Sequence, residues 1–517
     1  MLYKQTLGAS YDSDDDKEAA YSRCHKRSAE RLLEALQANG GIYIKLGQHV
    51  SSVNMLPVEW TSTMKPLQDQ QCYPTPFPEV KALLERETGR PMDEMFSEFD
   101  ENPIGVASLA QVHMATERST GRKMAVKIQH PHLEEFTELD MKTTTFALEW
   151  VKRIFPDFEF TWLGEEMREN LPKELDFTHE AENTERARAN FANLKRTSLY
   201  IPDVITATKR TLVMEFIEGA RVDDLDYLAK HNIDRNKVSM EITRIFSEMV
   251  WLHGFFHADP HAGNLLIRPR SKNSRSPYNF EIALLDHGLY FDIDDELRVN
   301  YARLWLSLIT PGQEKDRRKY AELVGHITPE LYPIFESAVT GRAGLEGTWD
   351  DADANRPANM LELATQTEEE MARMRTAVFH REGLLLGLFT MLRSVPRRVL
   401  MLFKMNDLLR NLDSELKPTH TQSRIFLIMA RYCSLAVWGD DYANFRTILR
   451  HDGPKFSSIF ALVRHWVGFH FIYNGLRVAE FTLDSRAKLV KLGAWVRGLR
   501  GGLQGAHDAA SGLVAVA

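Results

Sequence analysis

The chain has 517 residues, a length that suggests two or more structural units with an ample hydrophobic core. Its hydrophobic residues (44%) and charged residues (26%) occur in the proportions of a globular protein and exclude a largely disordered chain. The net charge of -8 offers no basic surface of the kind that binds nucleic acid, and the three cysteines, Cys24, Cys72 and Cys433, are too few and too far apart for a disulfide framework or a zinc ribbon. This cysteine usage indicates a reducing compartment.

The N-terminal part of the chain is predicted to be a helical extension behind a short disordered segment. Residues 1–18 contain an acidic run and no apolar core, so no targeting signal is visible there. Leucines then recur at helical spacing, and a second helix carries Lys45 and Gln48 three positions apart, on one face. A loop is expected at residues 69–78, and Gly89 ends the next helix. The three predicted helices are residues 18–37, 42 to about 53, and 80–87.

Residues 103–128 change in character and predict two strands joined by a polar turn at residues 118–122. Lys127 lies in the second strand between Val126 and Ile128. A lysine in an apolar strand is more often an edge residue with its ammonium in water. Here we interpret it as a phosphate ligand, because the order Ala-Val-Lys-Ile matches the strand lysine of kinases.

A mostly helical segment, residues 133–194 with a break at Pro156, is expected to supply an acidic partner for Lys127. Glu174 and Asp176 precede Glu180, and a solvated acidic face is the simpler interpretation of such a run. We choose Glu180 as the partner because it begins a cleaner helical stretch. Two strands follow, joined by a turn at residues 209–210, and backbone groups near Glu215 and Ile217 are predicted to bind adenine.

The chemistry is concentrated in residues 251–264 and in the strand end that follows them. Asp259 is followed five positions later by Asn264, and a second carboxylate, Asp286, comes directly after an apolar run. Phosphoryl transfer requires a carboxylate near the attacking hydroxyl and oxygen ligands that hold Mg²⁺ against the phosphates. We therefore predict that Asn264 and Asp286 bind Mg²⁺, that Lys127 neutralises phosphate charge, and that Asp259 orients or deprotonates the acceptor hydroxyl.

The remaining elements are predicted from periodicity. An amphipathic helix precedes Gly254, a hairpin has its tip at residues 270–278, and the chain beyond Gly288 is almost entirely helical. Two apolar stretches near the C-terminus are interrupted by Arg431 and Arg464 and are expected to be buried helices, although the second could lie on a membrane surface. The predicted helices after Gly288 include residues 368 to about 412, 424–438 and 456 to about 497.

Two other functions remain open at this point. His253, His257 and His261 recur every four residues, a spacing that would suit a metal-dependent hydrolase if all three lay on one helix. Pro260 disfavours a continuous helix there, so the histidines are better interpreted as residues that shape a loop. The second alternative is a catalytically silent pseudokinase that binds nucleotide as a scaffold.

Four motifs resemble those of the ADCK/UbiB family of atypical kinases, the aarF domain-containing kinases. Residues 44–48 match its KxGQ motif, residues 174–176 match its ExD motif, and the stretches HADPHAGN and LLDHG match its catalytic and metal-binding loops. The sequence looks closest to the mitochondrial ADCK branch that is distinct from coenzyme Q biosynthesis. The resemblance implies an α+β, protein-kinase-like two-lobe fold with an N-terminal helical KxGQ extension and a mostly helical C-terminal lobe.

The resemblance also implies roles for particular residues. Lys45 and Gln48 would gate the active site opposite Glu174 and Asp176, and we expect Lys45→Ala to alter substrate access more than folding, because a surface-facing lysine has little core to lose. The family's alanine-rich loop over the nucleotide corresponds to residues 105–108, which include Ala107 and Ser108, but Gly105 and Val106 depart from its pattern. His287 stands where ordinary kinases carry a phenylalanine.

By resemblance the chain binds ATP and Mg²⁺ and acts as an ATPase or phosphotransferase linked to lipid or isoprenoid homeostasis, in the mitochondrion and at its inner membrane. Peripheral contact with membrane lipid is implied, and nucleic acid is not. The predicted segments are a disordered N-terminus (1–18), the KxGQ extension (19–100), an N-lobe with a helical insert (101–219), a helical C-lobe (220–500) and a disordered tail (501–517).

Overall fold

The computed structural model describes residues 6, 9–51, 58–68, 74–154, 161–310, 312–332, 335–336, 339, 394–418, 423–453 and 455–498. Within it the chain forms two compact units. The first comprises Met1–Ala192, Tyr200–Gly219 and Ala283–Leu289, and the second comprises Asn193–Leu199, Ala220–Ile282 and Tyr290–Ala517. The break predicted at Pro156 and the tail 501–517 lie outside the described residues.

Both helices and strands are well represented, and the predicted α+β class is confirmed. The strands are β1 Phe96–Phe99, β2 Gly105–Val106, β3 Ala110–Glu117, β4 Lys123–Gln129, β5 Leu199–Tyr200, β6 Val204–Ala207, β7 Thr211–Glu215, β8 Ala220–Arg221, β9 Phe255–His257, β10 Leu265–Pro269, β11 Phe280–Leu284 and β12 Tyr290–Asp292. The α-helices are α1 Asp14–Asn39, α2 Gly41–Ser51, α3 Val58–Met64, α4 Phe77–Thr88, α5 Met92–Met95, α6 His132–Ile154, α7 Thr161–Glu174, α8 Phe177–Ala192, α9 Leu225–Lys230, α10 Arg235–Ser247, α11 Asp295–Ile309, α12 Glu314–Gly325, α13 Arg397–Leu416, α14 Ser423–Asp452 and α15 Phe456–Gly498.

The first unit contains a six-stranded sheet with the order β1-β3-β4-β7-β6, and β2 pairs with β3. Side chains alternate between the two faces along β4. Val126 and Ile128 pack with Leu83 and Leu84 of α4 on one face, whereas Ala125 packs with Phe177 of α8 on the other. Lys127 has the same parity as Ala125, so the alternation turns its side chain toward the face that α8 covers.

The N-terminal helices differ slightly from the predicted ones. Helix α1 begins at Asp14 rather than at residue 18, because the Ser13 hydroxyl accepts a hydrogen bond from the Asp16 amide (3.1 Å) and caps the first turn. Residues 14–18, predicted to be disordered, are therefore helical. Helix α2 begins at Gly41, and its predicted end near residue 53 lies outside the described residues. Gly89 ends α4 in the left-handed conformation, as the sequence predicted.

The second unit places the Asp259 loop (residues 257–264) between a buried helix and a short hairpin-like pair of strands. Helix α10 continues into a π-helical turn, Glu248–His253, which Gly254 ends at φ 62°. A Cβ at Gly254 would lie 3.0 Å from the Ile293 carbonyl oxygen, so the turn into β9 requires glycine. Strand β9 pairs antiparallel with β12.

The second unit also corrects one prediction. The sequence predicted helices directly after Gly288, but the chain first forms β12, because Tyr290 stacks on Phe255 (ring centroids 4.6 Å apart) and pairs with His257. The hairpin of β10 and β11 belongs to a four-stranded sheet with the order β5-β11-β10-β8. None of the helices within the described ranges combines the length and the apolar composition needed to cross a bilayer.

Candidate active site

Lys127 and Glu180 form a buried ion pair in the first unit. The Lys127 ammonium donates to both Glu180 carboxylate oxygens, at 2.9 and 2.8 Å. Glu180 lies three positions after Phe177, so the residue that packs against the sheet also directs the carboxylate toward it. The ammonium lies 5.0 Å from the centroid of the Phe177 ring, which adds a cation–π contact. The sheet and α8 therefore hold the lysine from two sides.

Asp286 completes this cluster at the end of β11. Its Oδ2 lies 3.4 Å from Lys127 Nζ, and its Oδ1 accepts a hydrogen bond from the Gly288 amide at 2.8 Å. A Cβ at Gly288 would come within 3.2 Å of Oδ1, so glycine allows the carboxylate to fold back over the turn. The Asp286 side chain is 37% exposed, whereas that of Glu180 is 3% exposed. Of the two carboxylates, Asp286 is the one that a ligand can reach.

His287 ties this turn to α8. Its backbone amide donates to Glu180 Oε1 at 3.4 Å, and its carbonyl accepts from Asn183 Nδ2 at 3.0 Å. The imidazole is 2% exposed and contacts the Leu284 carbonyl through Nε2 at 3.2 Å. The residue where ordinary kinases carry a phenylalanine thus packs inward and fixes the position of Asp286 in the described structure.

Burial and charge act in opposite directions on the Lys127–Glu180 pair. Burial alone would lower the pKa of Lys127, but the carboxylates of Asp286 and Glu180 raise that pKa above its ordinary value. Burial also raises the pKa of Glu180, and the neighbouring ammonium opposes this rise. The two carboxylates therefore keep the lysine cationic.

Residues 105–108, the predicted nucleotide loop, form a tight turn that buried polar groups hold in place. Gly105 pairs with Val112, and the Ala107 amide donates to the Ala110 carbonyl at 2.8 Å. The Ala107 carbonyl contacts His130 Nε2 at 2.9 Å, and Ser108 is buried. Burial lowers the pKa of His130, which keeps its ring neutral at neutral pH. Sequence analysis missed His130 because a single histidine after a strand carries no pattern.

Part of the segment predicted to bind adenine, residues 215–217, forms other hydrogen bonds. The Glu215 amide donates to the Asp203 carbonyl at 2.9 Å, and the Phe216 amide donates to the Lys123 carbonyl at 3.2 Å. The Glu215 carboxylate accepts from the Tyr200 hydroxyl at 2.6 Å, so this side chain fixes the segment. The backbone amides of Glu215 and Phe216 are therefore already engaged, and adenine binding near Glu215 and Ile217 stays a prediction.

Asp259 and Asn264 lie together in the second unit. The Asn264 amide nitrogen donates to the Asp259 carbonyl at 3.2 Å, an orientation that leaves the side-chain oxygen of Asn264 for a cation. The Asp259 amide donates to His257 Nδ1 at 3.0 Å, so a histidine shapes the loop as predicted. The Asp259 carboxylate is 25% exposed and lies 3.4 Å from Lys404 Nζ, a contact that sequence analysis missed.

The four predicted gating residues are only partly brought together. Lys45 Nζ lies 2.8 Å from Glu174 Oε2, as the motif pairing implied. Gln48 instead donates to the Leu67 carbonyl at 2.9 Å, and this contact ties α2 to the 3₁₀ turn Lys65–Gln68. Asp176 Oδ1 accepts from the Thr178 amide (3.0 Å) and hydroxyl (2.6 Å), so this carboxylate stabilises the start of α8.

Lys45 is not the surface-facing residue that the sequence predicted, so the reason for expecting Lys45→Ala to alter substrate access more than folding does not hold. The side chains of Lys45 and Glu174 are 17% and 8% exposed, so the alanine variant removes this cation from a buried carboxylate. We expect the free energy of unfolding to fall by about 3 kcal/mol, as when a buried pair loses one partner. Denaturant unfolding checks this, with Lys142→Ala as control because Lys142 pairs with Glu138 in solvent. Equal stability of the two variants would contradict the expectation.

The donor set fits Mg²⁺ better than zinc. Asp286 offers an exposed carboxylate and Asn264 an amide oxygen, which are hard oxygen donors of the type Mg²⁺ prefers. His253 ends a helix whereas His257 lies in strand β9, so the three histidines of the alternative hydrolase site do not share a helix face. Within the described ranges, no group of three or more His, Cys, Asp or Glu side chains is arranged to hold a metal.

Comparisons with known proteins find similarity over most of the chain. The ABC1 atypical kinase-like domain matches residues 66–323. The ABC1 family protein MCP2 homolog of Schizosaccharomyces pombe is 43% identical over 440 residues, which cover 85% of this chain and 76% of the relative. AarF domain-containing protein kinase 1 of Xenopus tropicalis is 37% identical over 487 residues, covering 93% and 86%. Among solved structures, the Rv3197–erythromycin complex from Mycobacterium tuberculosis matches with 20% identity and a TM-score of 0.42, covering 72% of this chain and 95% of that one.

Proposed function

The chain belongs to the ABC1 atypical kinase-like family, and from this premise we propose that it is a Mg²⁺-dependent ATPase or phosphotransferase linked to mitochondrial lipid homeostasis. The family resemblance and the kinase-like fold predicted from the motifs are confirmed by these matches. The activity, the nucleotide, the metal and the cellular role are the proposal, and each of its parts rests on particular residues.

The observation that carries the proposal is the Lys127–Glu180–Asp286 cluster. The Lys127 ammonium lies 2.8 Å from the Glu180 carboxylate and 3.4 Å from that of Asp286, and Asp286 is the exposed member. A purely structural ion pair needs one acid and one base, and a second carboxylate beside them adds like-charge repulsion with Glu180. A cation aimed at phosphate and a carboxylate ready to bind a metal explain the third charge.

The proposed roles follow from the chemistry of each side chain. Lys127 binds phosphate oxygens, and Glu180 keeps its ammonium in place. Asp286 and Asn264 hold Mg²⁺, which when bound neutralises phosphate charge and orients the terminal phosphoryl group. Asp259 orients the attacking hydroxyl or water and accepts its proton. Ala107 and Ser108 of the nucleotide loop cover the phosphates, and the backbone of Glu215 and Ile217 binds adenine.

A lipid-linked task is supported by the surface of helix α15. This helix exposes large aromatic side chains, including Phe456 (85% exposed), Phe471 (82%) and Phe481 (69%). Soluble surfaces seldom expose several such groups on one element, and aromatic side chains of this kind insert into the interfacial region of a bilayer. We propose peripheral contact with a mitochondrial membrane through α15, with an isoprenoid or lipid as acceptor and Lys45, Gln48, Glu174 and Asp176 controlling its access.

Thermal unfolding with nucleotide tests the proposal. At about 100 times its Kd, Mg-ATP is expected to stabilise the protein by about 2.7 kcal/mol and to raise Tm by about 5 °C. Omitting Mg²⁺ is expected to reduce this shift, and vesicles of phosphatidylcholine, phosphatidylethanolamine and cardiolipin are expected to stimulate phosphate release. A shift without phosphate release would favour the pseudokinase scaffold. The absence of any nucleotide-dependent shift would overturn the proposal.

A further inference from the structure

Lys404 is a cation that reaches the Asp259 loop from a helix far downstream in the chain. It lies on α13, and its Nζ is 3.4 Å from Asp259 Oδ1. The side chain is 13% exposed, and its neighbours Leu402, Phe403 and Met405 are buried. An ammonium in such surroundings loses most of its hydration, a cost that an apolar residue of similar length would avoid. Stability alone therefore does not account for a lysine here.

Hydrogen bonds within the Asp259 loop hold the backbone of Asp259. The Asp259 amide donates to His257 Nδ1 (3.0 Å), and its carbonyl accepts from the amide of His261 (2.9 Å). Between Asp259 and Asn264 the loop contains no lysine or arginine, and His261 Nε2 is 3.8 Å from Oδ2. The close cation on Oδ1 comes from α13.

We propose that Lys404 is a positioning residue for Asp259. Its ammonium holds Oδ1 and so orients the carboxylate toward the attacking hydroxyl or water. This inference rests on the proposed function, because it assigns Lys404 to the orientation of the group that receives the acceptor proton. Orientation of this kind has a large effect on rate, since a displacement of about 1 Å in a reacting group costs about 100-fold.

Replacement of Lys404 by methionine tests this role through steady-state kinetics. We expect Lys404→Met to lower kcat by about 10–100-fold and to change KM for ATP by less than about twofold, because the lysine acts on orientation rather than on nucleotide binding. Lys404→Arg, which keeps the positive charge, is expected to recover most of the loss. Arg398→Met serves as a control, because Arg398 begins the same helix and pairs with Asp294 in solvent.

A double-mutant cycle separates positioning from a merely structural role. In an Asp259→Asn background, Lys404→Met is expected to cause no further loss of kcat, because the group on which it acts is already gone. An equal loss of kcat in both backgrounds, or a Lys404→Met variant with wild-type kcat, would overturn this inference and leave the proposed function standing. Lys404→Gln gives the same readouts if the methionine variant does not fold. A wild-type protein without ATP turnover would instead overturn the proposed function, and this inference with it.

Discussion

Asp286→Asn is expected to lower the kcat of Mg-ATP turnover by about 100–1000-fold. The substitution keeps the size of the side chain and its place beside Gly288, but it removes the negative charge that a Mg²⁺ ligand supplies. It also removes one of the two carboxylates that raise the pKa of Lys127. Single-turnover phosphate release measures the loss, and circular dichroism checks that the fold is retained.

Asp203→Asn is the matched control for this variant. Asp203 belongs to the same unit, its side chain is 60% exposed, and it pairs with Arg188 at 3.1 Å. An exposed pair of this kind contributes little to stability, and Asp203 is outside the proposed machinery, so turnover is expected to stay at the wild-type rate. If Asp286→Asn and Asp203→Asn turn over ATP equally fast, Asp286 is not a metal ligand.

Lys127→Met is expected to weaken ATP binding by about 10–100-fold. The ammonium is the phosphate ligand that we propose for the first unit, and a hydrogen bond to a charged group contributes about 1.5–3 kcal/mol. Methionine preserves the length of the side chain and its apolar contact with Phe177. The loss of ATP affinity therefore measures the contribution of the positive charge. Isothermal titration calorimetry measures the Kd. Lys127→Arg is expected to weaken ATP binding as well, because a planar guanidinium does not reproduce the compact ammonium between Glu180 and Asp286.

Lys123→Met is the control on the same strand. Lys123 lies four positions before Lys127 on β4, its side chain is 55% exposed, and its partner Glu218 is 73% exposed. We expect its Kd for ATP to match that of the wild type. Equal affinities of Lys127→Met and Lys123→Met would show that the buried lysine is a structural ion pair and nothing more.

Local patterns predicted the Lys127–Glu180 part of the site because two short-range rules act on it. Alternation along β4 separates Lys127 from Val126 and Ile128, and helical spacing puts Glu180 on the face of Phe177. The residues are 53 apart in sequence, yet each rule is local. Strands β3, β4, β6 and β7 were predicted from the same local patterns, whereas β1 of the same sheet was not predicted.

Contacts between distant segments account for what the sequence did not reveal. The burial of Lys45 depends on α7, which brings Glu174 to it, and no pattern around Lys45 indicates this. Lys404 contacts Asp259 from α13, and the sequence around Lys404 has the pattern of an ordinary amphipathic helix. Asp176 was predicted to face the KxGQ helix. A carboxylate directly before a helix can also cap that helix, and Asp176 forms local hydrogen bonds with Thr178.

Affinity labelling of lysines tests the central claim, that Lys127 is the phosphate ligand of a nucleotide site. An acyl-phosphate derivative of ATP transfers its acyl group to amines near the phosphates, and mass spectrometry identifies the labelled peptide. We expect the label on Lys127, with excess Mg-ATP suppressing it and Asp286→Asn reducing it. Label on exposed lysines such as Lys123 alone, unchanged by excess Mg-ATP, would contradict the account.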